Sequence, residues 1–200
     1  MRNLTKTQWG LLFFNALYTV AFGVYYLRSF NYEFIAYTIS IVVVIGLLYG
    51  TLKYTAFPTY IIFGITTWGL LHMMGGSVET TDGVLYAWKI FPFFDGGGDF
   101  YVLKFDQVVH GFLYGVVGLM FYHLLQAVVG IKTHRWFIAF TAIFAAAGFS
   151  IVNEIIEFLA TVNLPETGVG GYENTVLDLI FNLGGACIAV LGCLLVRKFK

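Results

Sequence analysis

Charged residues are scarce in this chain, and their scarcity excludes a water-soluble domain. Lys, Arg, Asp and Glu together make up 11% of the 200 residues, whereas hydrophobic residues make up 59%. A soluble domain of this length covers its surface with a much larger share of polar side chains. The basic residues are also too few for a nucleic-acid-binding surface, so no nucleic-acid partner is expected. The composition predicts an integral membrane protein whose partners are membrane lipids, and nothing in the sequence identifies a protein partner.

Cysteine is also scarce, and the positions of the two cysteines exclude a disulfide framework. Cys187 and Cys193 lie six residues apart within one apolar run. On a helix this spacing places them on different faces, which argues against a disulfide and against a cysteine metal site. The sequence also has no H-E-x-x-H motif, so it does not belong to the zincin type of metalloprotease.

Six long apolar runs dominate the rest of the sequence. Runs of about 20 residues are long enough to cross a hydrocarbon core of roughly 30 Å as helices. The predicted transmembrane helices cover residues 8–27, 34–52, 57–76, 106–129, 136–160 and 174–196. No repeat or second domain is visible, so residues 1–200 are predicted to form a single all-α domain, a polytopic bundle of six transmembrane helices.

Glycines inside these runs predict close contacts between helices. Small residues let two membrane helices approach until their backbones touch. The positions that we expect to serve this purpose are Gly64, Gly111, Gly115, Gly184 and Gly185.

The distribution of basic residues predicts the orientation of the bundle. An even number of spans places both termini on one side of the membrane. Eight of the eleven basic residues lie on that side: Arg2, Lys6, Lys53, Lys132, Arg135, Arg197, Lys198 and Lys200. By the positive-inside rule, both termini are predicted to be cytoplasmic. An alternative for the first 27 residues is a signal peptide, because Arg2 and Lys6 precede an apolar run.

The longest connection, residues 77–105, is predicted to be external and aromatic. It contains the stretch GVLYAWKIFPFFDGGGDFYVL, whose aromatic density is typical of the lipid headgroup region. Its three glycines, residues 96–98, lie between Asp95 and Asp99 and predict a turn. This turn lacks the lysine of a phosphate loop and the spacing of an EF-hand. We expect the connection to lie in the outer interface and to cover the polar residues described next.

Polar residues gather at one end of four predicted helices. With the predicted orientation, they all fall in the outer half of the membrane: His72, Asp106, His110, Asn153, Glu154, Glu157, Asn174, Asp178 and Asn182. A charged carboxylate costs about 2.5–3.5 kcal/mol at the centre of a membrane helix. The basic residues on the same side all lie outside the predicted spans: Arg28, Lys89 and Lys104. Protons or a bound cation are therefore the expected counter-charges.

The types and spacing of these side chains suit a divalent metal. Two histidines and four carboxylates form a ligand set appropriate for Zn²⁺, Mn²⁺ or Fe²⁺. The predicted metal ligands are His72, Asp106, His110, Glu154, Glu157 and Asp178, and the predicted catalytic residues are Glu154 and His110. A structural interpretation is also available for several of them. Asp106 and Asn174 could cap helices, Glu157 could be solvated at the interface, and His72 could be a hydrogen-bonded packing residue.

The order of these motifs resembles a known family. The succession LHMMGG, FDQVVHGFLYG, NEIIEF and VLDLIFNLGGA resembles the YjdF-type family of small bacterial inner-membrane proteins, itself similar to VanZ-like proteins. The resemblance covers about residues 65–190, and the chain departs from the family pattern at Phe105, where the family has Tyr, and at Asn174, where it often has Asp. It implies an envelope-linked protein of the bacterial cytoplasmic membrane and names no reaction.

Three functions are compatible with this pattern. In an enzyme acting on a lipid or lipid-linked envelope substrate, Glu154 would be the general base or a ligand, and Asp178 a ligand or orienting acid. His72 and His110 would then be ligands or proton carriers. In a transporter, the same groups would relay protons or hold a cation. In a non-catalytic envelope factor that binds lipid or a partner protein, they would lock the helices together by hydrogen bonds.

Overall fold

The computed structural model describes residues 4–98, 100–131, 134–164 and 167–196. Within these ranges the chain forms six helices: α1 (Lys6–Ser29), α2 (Tyr32–Thr55), α3 (Thr59–Gly75), α4 (Phe105–Ala127), α5 (Arg135–Asn163) and α6 (Tyr172–Val196). Five of them are long and apolar enough to cross a membrane. The remaining helix, α3, has 17 residues and reaches about 26 Å. The predicted all-α membrane bundle is confirmed, and the helix boundaries differ from the prediction by a few residues.

The predicted orientation depends in part on basic residues that lie outside the described residues. Arg2, Lys132, Arg197, Lys198 and Lys200 lie outside the described residues, as does Asp99 beside the glycine turn. The orientation of the bundle therefore stays a prediction.

A sharp turn between α1 and α2 fixes where α2 begins. The backbone at Phe30 is left-handed, with φ of 54°, and ends α1. Asn31 then caps α2, because its Oδ1 accepts a 3.0 Å hydrogen bond from the backbone N–H of Phe34. Glu33 consequently lies in the first turn of α2, where the positive end of the helix dipole favours a carboxylate.

The helices form two groups of three. Helices α1, α2 and α3 pack on one another, helices α4, α5 and α6 do the same, and α3 packs on α4 to join the groups. Among the described residues, α5 makes no extensive contact with α2. The two groups are therefore joined mainly through α3 and α4.

Glycine sets the distance between α4 and α6, which form the most extensive helix pair. A Cβ on Gly185 would collide with the carbonyl oxygen of Gly111, and one on Gly111 would come within 3.2 Å of the Phe181 oxygen. The prediction of close approach is thus confirmed at both positions. It is wrong at Gly184, where a Cβ would meet nothing within 4 Å.

Two further glycines complete the predicted contacts. A Cβ on Gly115 would come within 3.2 Å of the Gly185 oxygen, which extends the α4–α6 contact by one turn. Gly64 lies where α3 of one group packs closely on α4 of the other, because a Cβ there would come within 2.7 Å of the Val116 side chain. The predicted glycine contacts are therefore also confirmed at these two positions.

The connection between α3 and α4 contains strands that the sequence analysis did not predict. Strands β1 (Glu79–Thr80) and β2 (Gly83–Val84) form one antiparallel pair, and β3 (Lys89–Asp95) and β4 (Tyr101–Lys104) form another. One turn of 3-10 helix, Leu85–Ala87, lies between the pairs. The predicted turn at residues 96–98 is confirmed, since the Gly97 N–H donates a 3.0 Å hydrogen bond to Asp95 Oδ1.

Only part of this connection covers the polar residues. All seven residues of β3 are exposed, including Phe91 and Phe93. The residues that face inward include Tyr86 in the 3-10 turn and Lys104 at the end of β4. The expectation that the aromatic segment covers the polar residues is therefore correct for Tyr86 and wrong for the aromatic side chains of β3.

Candidate functional site

The polar residues predicted from the sequence converge at one end of the bundle. They come from the last turns of α3 and α5 and from the first turns of α4 and α6, so antiparallel packing brings them to one level. Five of the six predicted ligands lie close together, and we call them the acidic cluster: Asp106, His110, Glu154, Glu157 and Asp178. The sixth, His72, borders the same cavity from α3.

His110 lies at the centre of the acidic cluster and contacts three carboxylates. Its Nε2 lies 3.5 Å from Asp106 Oδ1 and 3.7 Å from Glu157 Oε1. Its Nδ1 lies 3.8 Å from Glu154 Oε1. The side chain is 11% exposed, so these contacts are largely shielded from water. One imidazole therefore links α4 to the carboxylates of α5.

Asp178 is the most deeply buried carboxylate of the acidic cluster. The residue is 1% exposed, and its Oδ2 accepts a 2.7 Å hydrogen bond from Nδ2 of Asn174. Its other oxygen, Oδ1, is buried and has no hydrogen-bond partner among the described residues. A buried acceptor without a partner costs about 1–3 kcal/mol. A group that binds at Oδ1 would remove this cost.

Glu154 shows the same arrangement on α5. Its side chain is 8% exposed, and its Oε1 lies 3.5 Å from Nδ2 of Asn182, which donates to it. Its Oε2 is buried without a hydrogen-bond partner in the described ranges, as is Nδ1 of His110. With Asp178 and with Asn182, whose Oδ1 is also unpartnered, four neighbouring side chains thus each present one unsatisfied atom.

These side chains are close enough to hold a divalent ion. Asp106, His110 and Asp178 each offer one ligand atom, and the three atoms lie within 4.8 Å of one another. Glu154, Glu157 and Asp178 form a second group by the same measure, so Asp178 belongs to both groups. Carboxylate oxygens with an imidazole nitrogen form a donor set that Zn²⁺, Mn²⁺ or Fe²⁺ accepts.

Lys104 lies outside the predicted spans, as expected, but its side chain is buried beside the polar residues. Lys104 is 8% exposed, and its Nζ donates a 3.3 Å hydrogen bond to Oδ1 of Asn174. Its position follows from the end of β4, where the backbone N–H of Lys104 donates a 3.0 Å hydrogen bond to Oε1 of Gln107. The chain therefore turns back over the site before α4 begins. One buried ammonium group faces several carboxylates, so the negative charge is offset only in part.

The structural interpretations of Asp106, Asn174 and Glu157 are wrong. The N-cap position of α4 is Lys104, and Asp106 lies in the first turn. Asn174 is the third residue of α6 and is buried, with its side chain bonded to Asp178. Glu157 has a side chain that is only 17% exposed, and it accepts a 2.7 Å hydrogen bond from Asn153. All three side chains belong to the polar interior.

His72 lies in an aromatic environment beside the acidic cluster. The Tyr86 hydroxyl bonds its Nδ1, and its ring lies 5.4 Å from Trp68 and 5.1 Å from Tyr37. Burial, followed by the charge of Asp106, raises the pKa of Tyr86 well above its ordinary value, so the phenol keeps its proton. Among the described residues, His72 belongs to neither group of candidate ligands. The geometry favours its role as a hydrogen-bonded side chain.

A cavity of about 230 Å³ lies beside the acidic cluster. It is lined by residues of every helix from α2 to α6 and by the two segments that close this end of the bundle. One of its walls contains Glu33, whose Oε2 accepts a 2.8 Å hydrogen bond from the backbone N–H of Gly168. The bond joins α2 to the connection between α5 and α6 and so links the two groups of helices at this end.

Sequence reasoning missed Glu33, Tyr37 and Lys104 as site residues. Glu33 and Lys104 flank predicted spans, at positions where charged residues usually face water or headgroups. Tyr37 lies inside an apolar run and carries no distinguishing signal. For Glu33, the available signal was its position beside the Asn31 cap at the level of the other carboxylates.

A comparison with known families agrees with the membrane fold. The profile of a family described as "Predicted membrane protein (DUF2238)" matches residues 10–199. Comparisons with curated proteins and with solved structures find no match.

Proposed function

The chain belongs to the DUF2238 family of predicted membrane proteins, and on that premise we propose that it is a metal-dependent enzyme acting on a lipid or lipid-linked envelope substrate. The observation that carries the proposal is the pair of buried carboxylates, Asp178 and Glu154, each with one oxygen that has no partner in the described ranges. A structural hydrogen-bond network satisfies its buried acceptors. Unsatisfied acceptors that converge beside an imidazole suit a cation.

The residues of the acidic cluster divide into ligands and a base. Asp106, His110 and Asp178 would hold the ion, since their ligand atoms converge within 4.8 Å. A bound divalent ion would polarise a substrate oxygen and lower the pKa of a bound water. Glu154 would accept the proton of that water through its unpartnered Oε2, and Glu157 would keep His110 in place.

The position of the site supports a substrate that resides in the membrane. The acidic cluster lies toward one end of α4, α5 and α6, so we expect it to be within reach of lipid headgroups. We place this end at the outer face of a bacterial cytoplasmic membrane, with both termini in the cytoplasm, on the basis of the basic residues. The resemblance to the YjdF-type and VanZ-like proteins stays a prediction and agrees with this location.

A transporter is a weaker account of the same residues. Among the described residues, the side chains away from the acidic cluster that could continue a polar path include Asn15 and His123. Asn15 Nδ2 donates a 2.9 Å hydrogen bond to Thr66 Oγ1, and His123 Nε2 lies 2.9 Å from the backbone oxygen of Thr55. Both are engaged in bonds between helices, so they serve packing rather than conduction.

A non-catalytic envelope factor is favoured by one observation. Two asparagines bond carboxylates within their own helices, Asn174 to Asp178 and Asn153 to Glu157. Such bonds would also stabilise a cluster of protonated acids that holds no metal. This account and the enzyme differ in whether Glu154 and Asp178 need an ion.

Thermal unfolding of the purified protein separates the two accounts. A bound ion stabilises the folded state by mass action, so we expect a chelator to lower the melting temperature of the wild type and to leave that of Asp178→Asn, which lacks a proposed ligand, nearly unchanged. Glu173→Gln is the matched control, because Glu173 is exposed on the first turn of α6 and should respond like the wild type. A wild type whose melting temperature is indifferent to the chelator would favour the non-catalytic factor.

A further inference from the structure

The cavity beside the acidic cluster has the charge of a site for a cation. Three carboxylates line it, Glu33, Asp106 and Glu157, against the single ammonium group of Lys104. An anionic group alone would be repelled by this wall, whereas a positively charged group would be attracted. Glu33 is separated from the acidic cluster by the cavity itself and belongs to neither group of candidate metal ligands.

Aromatic rings line the same part of the cavity as Glu33. Phe34 and Tyr37 follow Glu33 on α2, with ring centroids 5.3 Å apart, and Phe34 lies 6.0 Å from Tyr86. All three rings contribute to the cavity wall. Aromatic faces attract alkylammonium groups, and a carboxylate beside them supplies the counter-charge. This combination selects an ammonium group over a hydrated metal ion.

The location of the cavity indicates that the ammonium group belongs to a lipid. Its walls come from segments near the ends of the helices, where lipid headgroups are expected. Helices α2 and α5 both line it, and among the described residues they make no extensive contact with each other. A volume of about 230 Å³ lies below the range of about 300–1,000 Å³ typical of pockets for whole drug-sized ligands. The cavity therefore fits a headgroup whose acyl chains remain in the bilayer.

We propose that this cavity binds the phosphoethanolamine headgroup of a phospholipid, with the ammonium group at Glu33, Phe34 and Tyr37 and the phosphate toward Lys104. The proposal rests on the proposed function in one respect, since it names the substrate class of the same site. The phosphate would then lie between Lys104 and the acidic cluster, where the proposed ion would contact it.

The test uses the full chain in nanodiscs that contain equal amounts of phosphatidylethanolamine and phosphatidylglycerol. Mass spectrometry counts the lipids that stay bound to each chain after the bilayer is removed. We expect about tenfold enrichment of phosphatidylethanolamine on the wild type, and loss of most of that enrichment in Glu33→Gln, which keeps an acceptor for Gly168 but removes the charge. Glu79→Gln is the matched control, because Glu79 is exposed and lies outside the cavity.

Equal binding of the two lipids by the wild type, or unchanged enrichment in Glu33→Gln with a normal melting temperature, would overturn the proposal. Soluble phosphoethanolamine is added in a parallel arm and should not displace the lipid, since it lacks acyl chains. Full displacement would overturn the lipid assignment.

Metal content is measured on the same samples. Enrichment without metal supports the headgroup site and contradicts only the metal-dependent enzyme, whereas metal without enrichment contradicts only the headgroup site.

Discussion

Asn174 donates a 2.7 Å hydrogen bond to Oδ2 of Asp178, one helical turn away, and Oδ1 of the same carboxylate is buried with no hydrogen-bond partner among the described residues. The amide orients the carboxylate, whose side chain lies among the other members of the acidic cluster. Such an amide is typical of the supporting residues that surround a metal ligand. The pair thus supports a role for Asp178 as ligand.

Replacement of Asp178 tests that role. Asp178→Asn keeps the size of the side chain but removes the charge and one good ligand oxygen. We expect the affinity for Mn²⁺ or Zn²⁺ to fall by about 100-fold, measured by calorimetric titration of the metal-free protein. Glu173→Gln on the same helix should bind as the wild type does. An Asp178→Asn protein that binds the metal with wild-type affinity would remove Asp178 from the ligand set.

The glycine contact between α4 and α6 is predicted to support both fold and site. Gly185→Ala places a methyl group against the carbonyl oxygen of Gly111, so the helices must separate. We expect a loss of about 1–3 kcal/mol in the free energy of unfolding, measured by denaturant titration in detergent. Gly184→Ala is the matched control, because its methyl group would meet nothing within 4 Å. Equal effects at both positions would contradict the packing described for this pair.

The bond between Tyr86 and His72 gives a prediction with a pH dependence. Tyr86→Phe removes the hydroxyl and keeps the ring, and should lower the free energy of unfolding by about 1 kcal/mol at neutral pH. Tyr172→Phe, at a residue with an 83% exposed side chain, should have no effect. Melting temperatures of the three proteins provide the comparison.

The sign of the pH dependence follows from the raised pKa of Tyr86, caused first by burial. The folded state holds the phenol proton more tightly than the unfolded state, where the pKa is about 10. The stabilisation is therefore complete below about pH 10 and is lost as the pH rises above that value. The stability advantage of the wild type over Tyr86→Phe should shrink above pH 10. A constant advantage would show that Tyr86 is not held in its protonated form.

The orientation is tested by reporter fusions. A fusion after residue 196 and one between α4 and α5 should report the cytoplasm, because eight of the eleven basic residues lie on that side. A fusion at the glycine turn, residues 96–98, should report the opposite side. A C-terminal fusion that reports the external side would place the acidic cluster at the cytoplasmic face and exclude an external substrate.

The sequence was sufficient for the helices and for most of the acidic cluster. Membrane spans follow from apolar length, and a carboxylate such as Glu154 within such a run is conspicuous because burial of its charge is costly. The strands of the connection were missed because aromatic residues near a membrane indicate the interface, whatever their secondary structure.

Glu33 and Lys104 could not be assigned from the sequence for a different reason. Each lies just outside an apolar run, where solvation is the ordinary expectation. Their burial depends on contacts between distant segments: Gly168 bonds Glu33, and Asn174 bonds Lys104. Periodicity along one helix carries no information about such contacts.

Elemental analysis of the wild-type protein, purified in mild detergent without chelator, tests the central claim most directly. The account predicts at least one equivalent of Zn, Mn or Fe per chain, bound by the acidic cluster. It also predicts that Asp178→Asn loses most of this metal while Glu173→Gln retains it. Absence of metal from a folded wild-type protein, or equal metal in all three proteins, would contradict the account.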